Sequence, residues 1–330
     1  MPLFILPQTA LEPFMERLRT VGELHGPLRG SDDAVRFSFL QTGDQPDLTA
    51  VRSLLPPKKY LLAPDETILT YRPAAGYQTP AHETGPLILL GVHPCDLAAI
   101  AYLDRQFLAD PPDPTYAARR KRLILIGNSC TPDNNCSCHQ RPSALSTNCD
   151  LFLYQQDNGF LISVETPHGE RLCQSLGDLL LPAEDQQLPP SSRSNFGLPL
   201  PAPSANELDA HLPDWQRLAD HCLGCGACSV CCPTCSCFEI LEFGGLDGCS
   251  AERLRRWDNC LFKSHSEVAG GHSFQKDRAQ RFRYRYRHKY RGYGQLQGVP
   301  SCVGCGRCRA QCPTGLDLRP LAEYLEKERP

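Results

Sequence analysis

Only two methionines and two tryptophans occur among 330 residues, and no long, clean apolar run is present. The richest stretch, LILLGVHPCDLAAIAYL from Leu87 to Leu103, is broken by His93, Pro94 and Asp96. It falls short of the roughly 20 residues a membrane-spanning helix needs, so no membrane association is expected. The opening segment, MPLFILPQTALEPF, lacks a basic region ahead of its apolar residues and carries Pro2 and Pro7, which argues against a secretory signal and for a cytoplasmic setting. No G-x-G-x-x-G opens a helix after a strand, so neither NAD(P) nor flavin is expected to bind this chain. Charge of one sign is missing as well: 34 Lys and Arg stand against 37 Asp and Glu, which leaves no overall basic footprint for nucleic acid. With 41% apolar and 22% charged residues the chain is neither disordered nor fibrous, and its length suits about two domains.

What the sequence has in excess is cysteine, 19 in all, crowded between Cys222 and Cys260 and between Cys302 and Cys312. In a reducing compartment, clustered thiols read first as metal ligands, and an odd count argues against complete pairing into disulfides.

The amino-terminal half reads as α/β. Short apolar runs bounded by Pro and Gly predict strands at Arg36–Leu40, Thr67–Tyr71, Leu87–Val92, Arg122–Ile126, Leu151–Tyr154 and Phe160–Val164. CDLAAIAYLDRQFL, between the two most continuous runs, repeats its apolar residues at helical spacing and predicts a strand, helix, strand unit. Seven prolines between Leu181 and Pro213 mark an extended linker. The predicted organisation is an α/β domain over 1–185, a linker over 186–213, and an α-helical, dicluster ferredoxin-like domain over 214–330. A helix is expected from about Asp214 and a closing one around Leu318–Glu328.

Two similar motifs form an internal repeat in that last domain. Cys222-Leu-Gly-Cys225-Gly-Ala-Cys228-Ser-Val-Cys231-Cys232-Pro233 and Cys302-Val-Gly-Cys305-Gly-Arg-Cys308-Arg-Ala-Gln-Cys312-Pro313 both fit C-x2-C-x2-C-x3-C-P. In this run three thiolates hold one [4Fe-4S] cube and the fourth ligates the other. One cluster is therefore expected on Cys222, Cys225, Cys228 and Cys312, and a second on Cys302, Cys305, Cys308 and Cys232. Gly224, Gly226, Gly304 and Gly306 let the backbone wrap a cube and turn N–H groups toward sulfur. Zinc sites use pairs of C-x2-C instead. The radical S-adenosylmethionine spacing at Cys228, Cys232 and Cys235 and a sirohaem-type spacing starting at Cys130 both borrow cysteines already committed to the first run.

The long insertion between the motifs and several segments before them carry a family resemblance. GVHPCDLAAIAYLD at 91–104, IGNSCTPDNNCSC at 126–138, CLGCGACSVCCPTCSCFE at 222–239, RRWDNC at 255–260, AGGHSFQKDRAQRFRYRYRHKY at 269–290 and CVGCGRCRAQCP at 302–313 are similar to the iron–sulfur subunit shared by two complexes. It is the beta subunit of cytoplasmic NAD(P)-linked [NiFe] hydrogenases (sulfhydrogenases) and the A subunit of anaerobic sulfite reductase. The resemblance implies an electron relay. Its partners would be an FAD- and NAD(P)-binding reductase subunit and the small and large hydrogenase subunits, or else a sirohaem sulfite reductase subunit. The paired C-x2-C ends of a nickel-binding subunit are missing here, in keeping with a relay that holds no terminal metal site.

Cys95, Cys130, Cys136 and Cys138 follow two strands expected to be neighbours, at the sheet edge where α/β proteins place ligands. They are candidates for a third cluster, [4Fe-4S] or [2Fe-2S], against a plain reading as buried thiols, and Cys149 competes for a place. Cys173 and Cys249 read as structural, while Cys235, Cys237 and Cys260 are left without a role. Arg278–Arg291 interleaves seven Arg or Lys with Phe282, Tyr284, Tyr286 and Tyr290. That pattern suits single-stranded nucleic acid. It equally suits cations that offset anionic clusters, the reading the near-neutral net charge favours.

Overall fold

The uninterrupted apolar runs Leu87–Val92 and Leu123–Asn128 form adjacent parallel strands in which every residue is buried. In this computed structural model, which describes residues 2–81, 84–138, 149–183, 185–188, 215–292, 296 and 299–317, they are the middle of an eight-stranded mixed sheet. The helix Pro94–Phe107 connects toward the second of them, starting on Pro94 at its first turn and burying Leu97, Ala98, Ile100 and Leu103. Pro is favoured there because its missing N–H has no helical partner to lose. Parallel pairing extends to Glu23–Arg29 on one side and Leu151–Gln156 on the other. Antiparallel strands, among them Gly159–Val164, Leu3–Pro7 and Val35–Phe39, complete the sheet.

Sequence and structure agree on the α/β class and on five of these strands within a residue or two. Leu3–Pro7, Glu23–Arg29 and the helix Leu11–Val21 were not anticipated; the first strand ends on Pro7 and the second carries Gly26 and Pro27 within it. The core is formed by Leu24, Ile88, Leu90, Ile124, Ile126, Leu153 and Ile162 with Phe14, Met15 and Leu18 of that helix.

The chain divides into two compact units. The first comprises Met1–Pro57, Glu83–Pro199 and Val303–Cys305; the second comprises Lys58–His82, Leu200–Cys302 and Gly306–Pro330. Two segments thus fall on the other side of the division that composition suggests. Lys58–His82 joins the second unit because its strand Asp65–Arg72 pairs with Ala251–Trp257.

The second unit is not wholly helical, contrary to the sequence expectation. Phe238–Gly244, Ala251–Trp257, Asp65–Arg72 and Gly76–Gln78 form a four-stranded antiparallel sheet. Its cross-strand pairs are largely ionic: Arg255 bonds Glu66 at 2.7 Å, both buried, and Arg256 bonds Asp65 at 2.9 Å. Such pairs stabilise a sheet without leaving an apolar alternation to read. Beside it, Trp215–His221 packs on the helix Arg278–Arg291, with the Trp215 ring 5.4 Å from Tyr286. Most of the proline-rich linker and the closing helix expected around 318–328 lie outside the described residues. Among the described residues no helix is long and apolar enough to cross a membrane.

Candidate metal centres

The two cysteine runs have the same backbone. In the first, Gly224 and Gly226 take φ of 68° and 76°; in the second, Gly304 and Gly306 take 69° and 74°. Each pair leads into a one-turn helix, Ala227–Val230 or Arg307–Ala310, and the two short helices pack together. Each run then closes on Cys-Pro-Thr, with the thiol 3.4 Å from the threonine hydroxyl at both Cys232 and Cys312. A repeat seen as spacing is therefore a repeat of conformation. At Gly226 a side chain has no room, since a Cβ would lie 2.1 Å from Asn259 Nδ2.

Cys222, Cys225, Cys228 and Cys312 line one cavity of the second unit, with Cys308 of the other expected set beside them, walled on the apolar side by Leu261 and Phe282. Four thiols from two distant stretches of chain facing one space is the arrangement a ferredoxin-type cube requires. The donor set, the left-handed glycines and the apolar wall fit such a cluster. Of the second set, Cys302, Cys308 and Cys232 belong to the second unit and Cys305, which is buried, to the first.

The basic segment is a helix over Arg278–Arg291, capped by Asp277, whose carboxylate accepts from the Gln280 N–H at 2.7 Å. Its spacing lays Arg278, Arg281, Arg285 and Lys289 along one stripe. Arg278 donates to the Cys222 carbonyl at 2.8 Å, Arg281 to the Leu261 carbonyl at 3.0 Å, and Arg285 to the Cys228 carbonyl at 2.7 Å and Cys235 Sγ at 3.2 Å. Lys289 donates to Thr234 Oγ1 at 2.9 Å. Phe282, Tyr286 and Tyr290, the rings a base-stacking surface would present, are buried in the core beneath Trp215. The stripe serves the cysteine loops, and of the four rings Tyr284 alone is exposed.

In the first unit, the paired strands Leu87–Val92 and Leu123–Asn128 deliver Cys95 and Cys130 to the same sheet edge, and the loop beyond carries Cys136 and Cys138. The thiols of Cys136 and Cys138 are hydrogen-bonded to each other, and Cys95 and Cys130 act electrostatically on Cys138. That bond lowers the Cys136 pKa to about 6, helped by Arg52, whose Nη2 lies 3.2 Å from its sulfur; Cys138, the donor, is raised. Arg52 also pairs with Asp133, and its buried Nε has no hydrogen-bond partner among the described residues. Ser137 donates its N–H to the Gly304 carbonyl at 2.8 Å, and Cys136 Sγ lies 3.9 Å from the Cys305 carbonyl. At Gly304 a Cβ would meet Cys138 N at 2.5 Å. Cys149 is buried, and Cys173 sits in the hydrophobic core, where burial raises its pKa to about 11. Cys249 is exposed, in the turn held by Asp247.

Residues 221–316 match the family model described as a 4Fe-4S dicluster domain. Over 330 aligned residues, 95% of this chain and 95% of the relative, the chain is 33% identical to sulfhydrogenase 2 subunit beta of Pyrococcus furiosus. The chain belongs to the sulfhydrogenase beta-subunit family. No solved structure matches it. Membership makes it an iron–sulfur, electron-transferring subunit of the hydrogenase type.

Sequence reasoning passed over Arg52, Lys58 and Asn259 in this family member. Lys58 lies far from any cysteine in sequence, yet its Nζ donates to the Cys235 carbonyl at 2.8 Å and stands 4.3 Å from the centre of the Trp257 ring. Asn259 holds the first run by donating to the Gly226 carbonyl at 2.8 Å and accepting from Ser229 at 3.0 Å. The motif RRWDNC at 255–260 contains it, next to the buried Cys260.

Proposed function

We propose that this chain is the electron-relay subunit of a multisubunit hydrogenase, passing single electrons between a flavoprotein subunit that handles NAD(P)H and a [NiFe] catalytic module. The convergence of Cys222, Cys225, Cys228 and Cys312 on one cavity carries the reading. When bound, the clusters supply one-electron transfer at potentials set by charge, burial and hydrogen bonds to sulfur.

The residues have distinct parts in this. Cys222, Cys225, Cys228 and Cys312 hold the first [4Fe-4S] cluster; Cys302, Cys305 and Cys308 with Cys232 hold the second. Cys95, Cys130, Cys136 and Cys138 hold a third. Arg52 supports that last assignment, since a guanidinium directed at sulfur with a buried, unpartnered Nε suits an anionic occupant. The contacts of Ser137 and Cys136 with Gly304 and Cys305 tie the third set to the second run. Hydrogenase is favoured over sulfite reductase because the similar protein is a sulfhydrogenase subunit.

Anaerobic iron and acid-labile sulfide analysis of the isolated chain, with EPR of the reduced form, tests this. Cys225→Ser should remove about four irons and one cubane signal, and Cys136→Ser about four others. The chain alone should neither oxidise NAD(P)H nor reduce protons or sulfite; such turnover, or zinc in place of iron, would contradict the relay.

A further inference from the structure

Two arginines of the basic helix hold carbonyls of the first cysteine set, and they differ in depth. Arg278, in the first turn, donates to the Cys222 carbonyl at 2.8 Å and is exposed. Arg285, two turns further along the same stripe, donates to the Cys228 carbonyl at 2.7 Å and is 3% exposed. Its other amino group donates to Ser229 Oγ at 2.5 Å, and that hydroxyl donates in turn to Asn259 Oδ1 at 3.0 Å. All of these residues belong to the second unit. Arg285 thus reaches the cavity of the first set from behind, through the backbone of Cys228.

A guanidinium keeps its charge throughout the working pH range, so this charge is a fixed feature of the interior. Its partners are a carbonyl, a hydroxyl and the Cys235 thiol at 3.2 Å, and its Nε is buried with none among the described residues. The carboxylates of Glu66, Asp65 and Asp258, in the same unit, pair with Arg255, Arg256 and His265 instead. Cys235 is shared as well: the Lys58 ammonium sits on its carbonyl at 2.8 Å, and Lys289 interacts with its thiol. Even as a thiolate it would answer one cation among three. A buried cation left so nearly unanswered is strongly unfavourable, and the thiolates of the first set, once they hold iron, supply the missing anion beyond Cys228.

We propose that Arg285 sets the reduction potential of the first cluster, raising it by a permanent positive charge buried behind Cys228. The proposal rests on the relay reading and deepens it. Reduction adds one electron and one negative charge to the cluster, with no bond made or broken, so a fixed positive charge nearby favours the reduced form. Depth decides the size of the effect, because a charge acts far more strongly through the interior than across solvent. Arg278 holds the same set with the same charge from the surface, and therefore contributes little to the potential.

The test is a potentiometric EPR titration of the full chain, purified anaerobically, which follows the cubane signal that Cys225→Ser abolishes. Arg285→Gln should keep the iron content and lower that midpoint by at least about tenfold in the reduction equilibrium, or about 59 mV for one electron. Arg285→Lys, which keeps the charge, should recover most of the shift, and Arg278→Gln should move the midpoint by less than about threefold. Where Arg285→Gln alone does not fold, its combination with Cys235→Ser, which removes the thiol beside the lost cation, takes its place and is judged against Cys235→Ser. An unmoved midpoint without the Arg285 charge, or an equal fall in Arg285→Lys or Arg278→Gln, would overturn the proposal. If Cys225→Ser removes no cubane signal, it is the relay reading that fails.

Discussion

In the first unit Cys95, in the first turn of the helix Pro94–Phe107, and Cys130, Cys136 and Cys138, on the loop after Leu123–Asn128, follow the carboxyl ends of parallel strands, and Arg52 reaches the sulfur of Cys136. In the second, a 14-residue helix lays Arg278, Arg281, Arg285 and Lys289 along the cysteine loops. The first arrangement takes its geometry from the sheet. The second brings its ligands on short loops with almost no regular structure of their own, so buried cations and left-handed glycines have to fix them. On the proposed reading the same chemistry would be held once by topology and once by electrostatics.

That contrast can be broken most forcefully at Arg285. Arg285→Met leaves buried thiolates unanswered and should destabilise the cluster-loaded protein by about 3–5 kcal/mol, whereas Arg52→Met, at a partly exposed pair, should cost about 1–2 kcal/mol. Anaerobic denaturant unfolding of the two variants side by side measures the difference; equal losses would mean that both units rely on charge alike. Gly304→Ala comes next. It forces a left-handed residue into the backbone of Cys138 and should cost about 1–3 kcal/mol, with a change in the EPR signal that Cys136→Ser abolishes.

Smaller effects sharpen the picture. Asp277→Ala removes the cap of the basic helix and should cost about 1 kcal/mol, read as an earlier midpoint in the same unfolding series. Cys173, a packing thiol, has its pKa raised to about 11 from the ordinary 9.0 by burial. Its neutral form is the one the fold favours, so its contribution is complete below pH 9 and fades as the pH rises toward 11. Alkylation of the native protein should leave Cys173 unmodified at pH 9, and early modification would show that this core opens readily.

How much of this could be read beforehand follows the same division. The ferredoxin runs were legible residue by residue, because C-x2-C-x2-C-x3-C-P is itself a description of geometry, repeated in the φ of Gly224, Gly226, Gly304 and Gly306. The buried parallel strands were legible too, since a strand covered on both faces is a continuous apolar run. Of the four-stranded sheet of the second unit only Asp65–Arg72 was, as the expected strand Thr67–Tyr71; for its partners Arg253, Arg255 and Arg256 find Glu242, Glu66 and Asp65 across the strands, and charge pairing leaves no period to detect. Lys58 was invisible for a different reason, because nothing local to it marks a partner 177 residues away. The basic helix was visible as composition, but which of its residues meet the cysteine loops was not.

On the proposed reading a third cluster on Cys95, Cys130, Cys136 and Cys138 lies beside Gly304 and Cys305, two residues of the second run that belong to the same unit. EPR of the fully reduced chain tests it most directly. Cys136 Sγ lies 3.9 Å from the carbonyl of Cys305, so the signal assigned to the second run should be broadened by a neighbouring reduced centre. Cys136→Ser should remove that broadening and leave a sharp, isolated cubane spectrum. A second-run signal that is unbroadened in the unsubstituted chain and unchanged in Cys136→Ser would contradict the account.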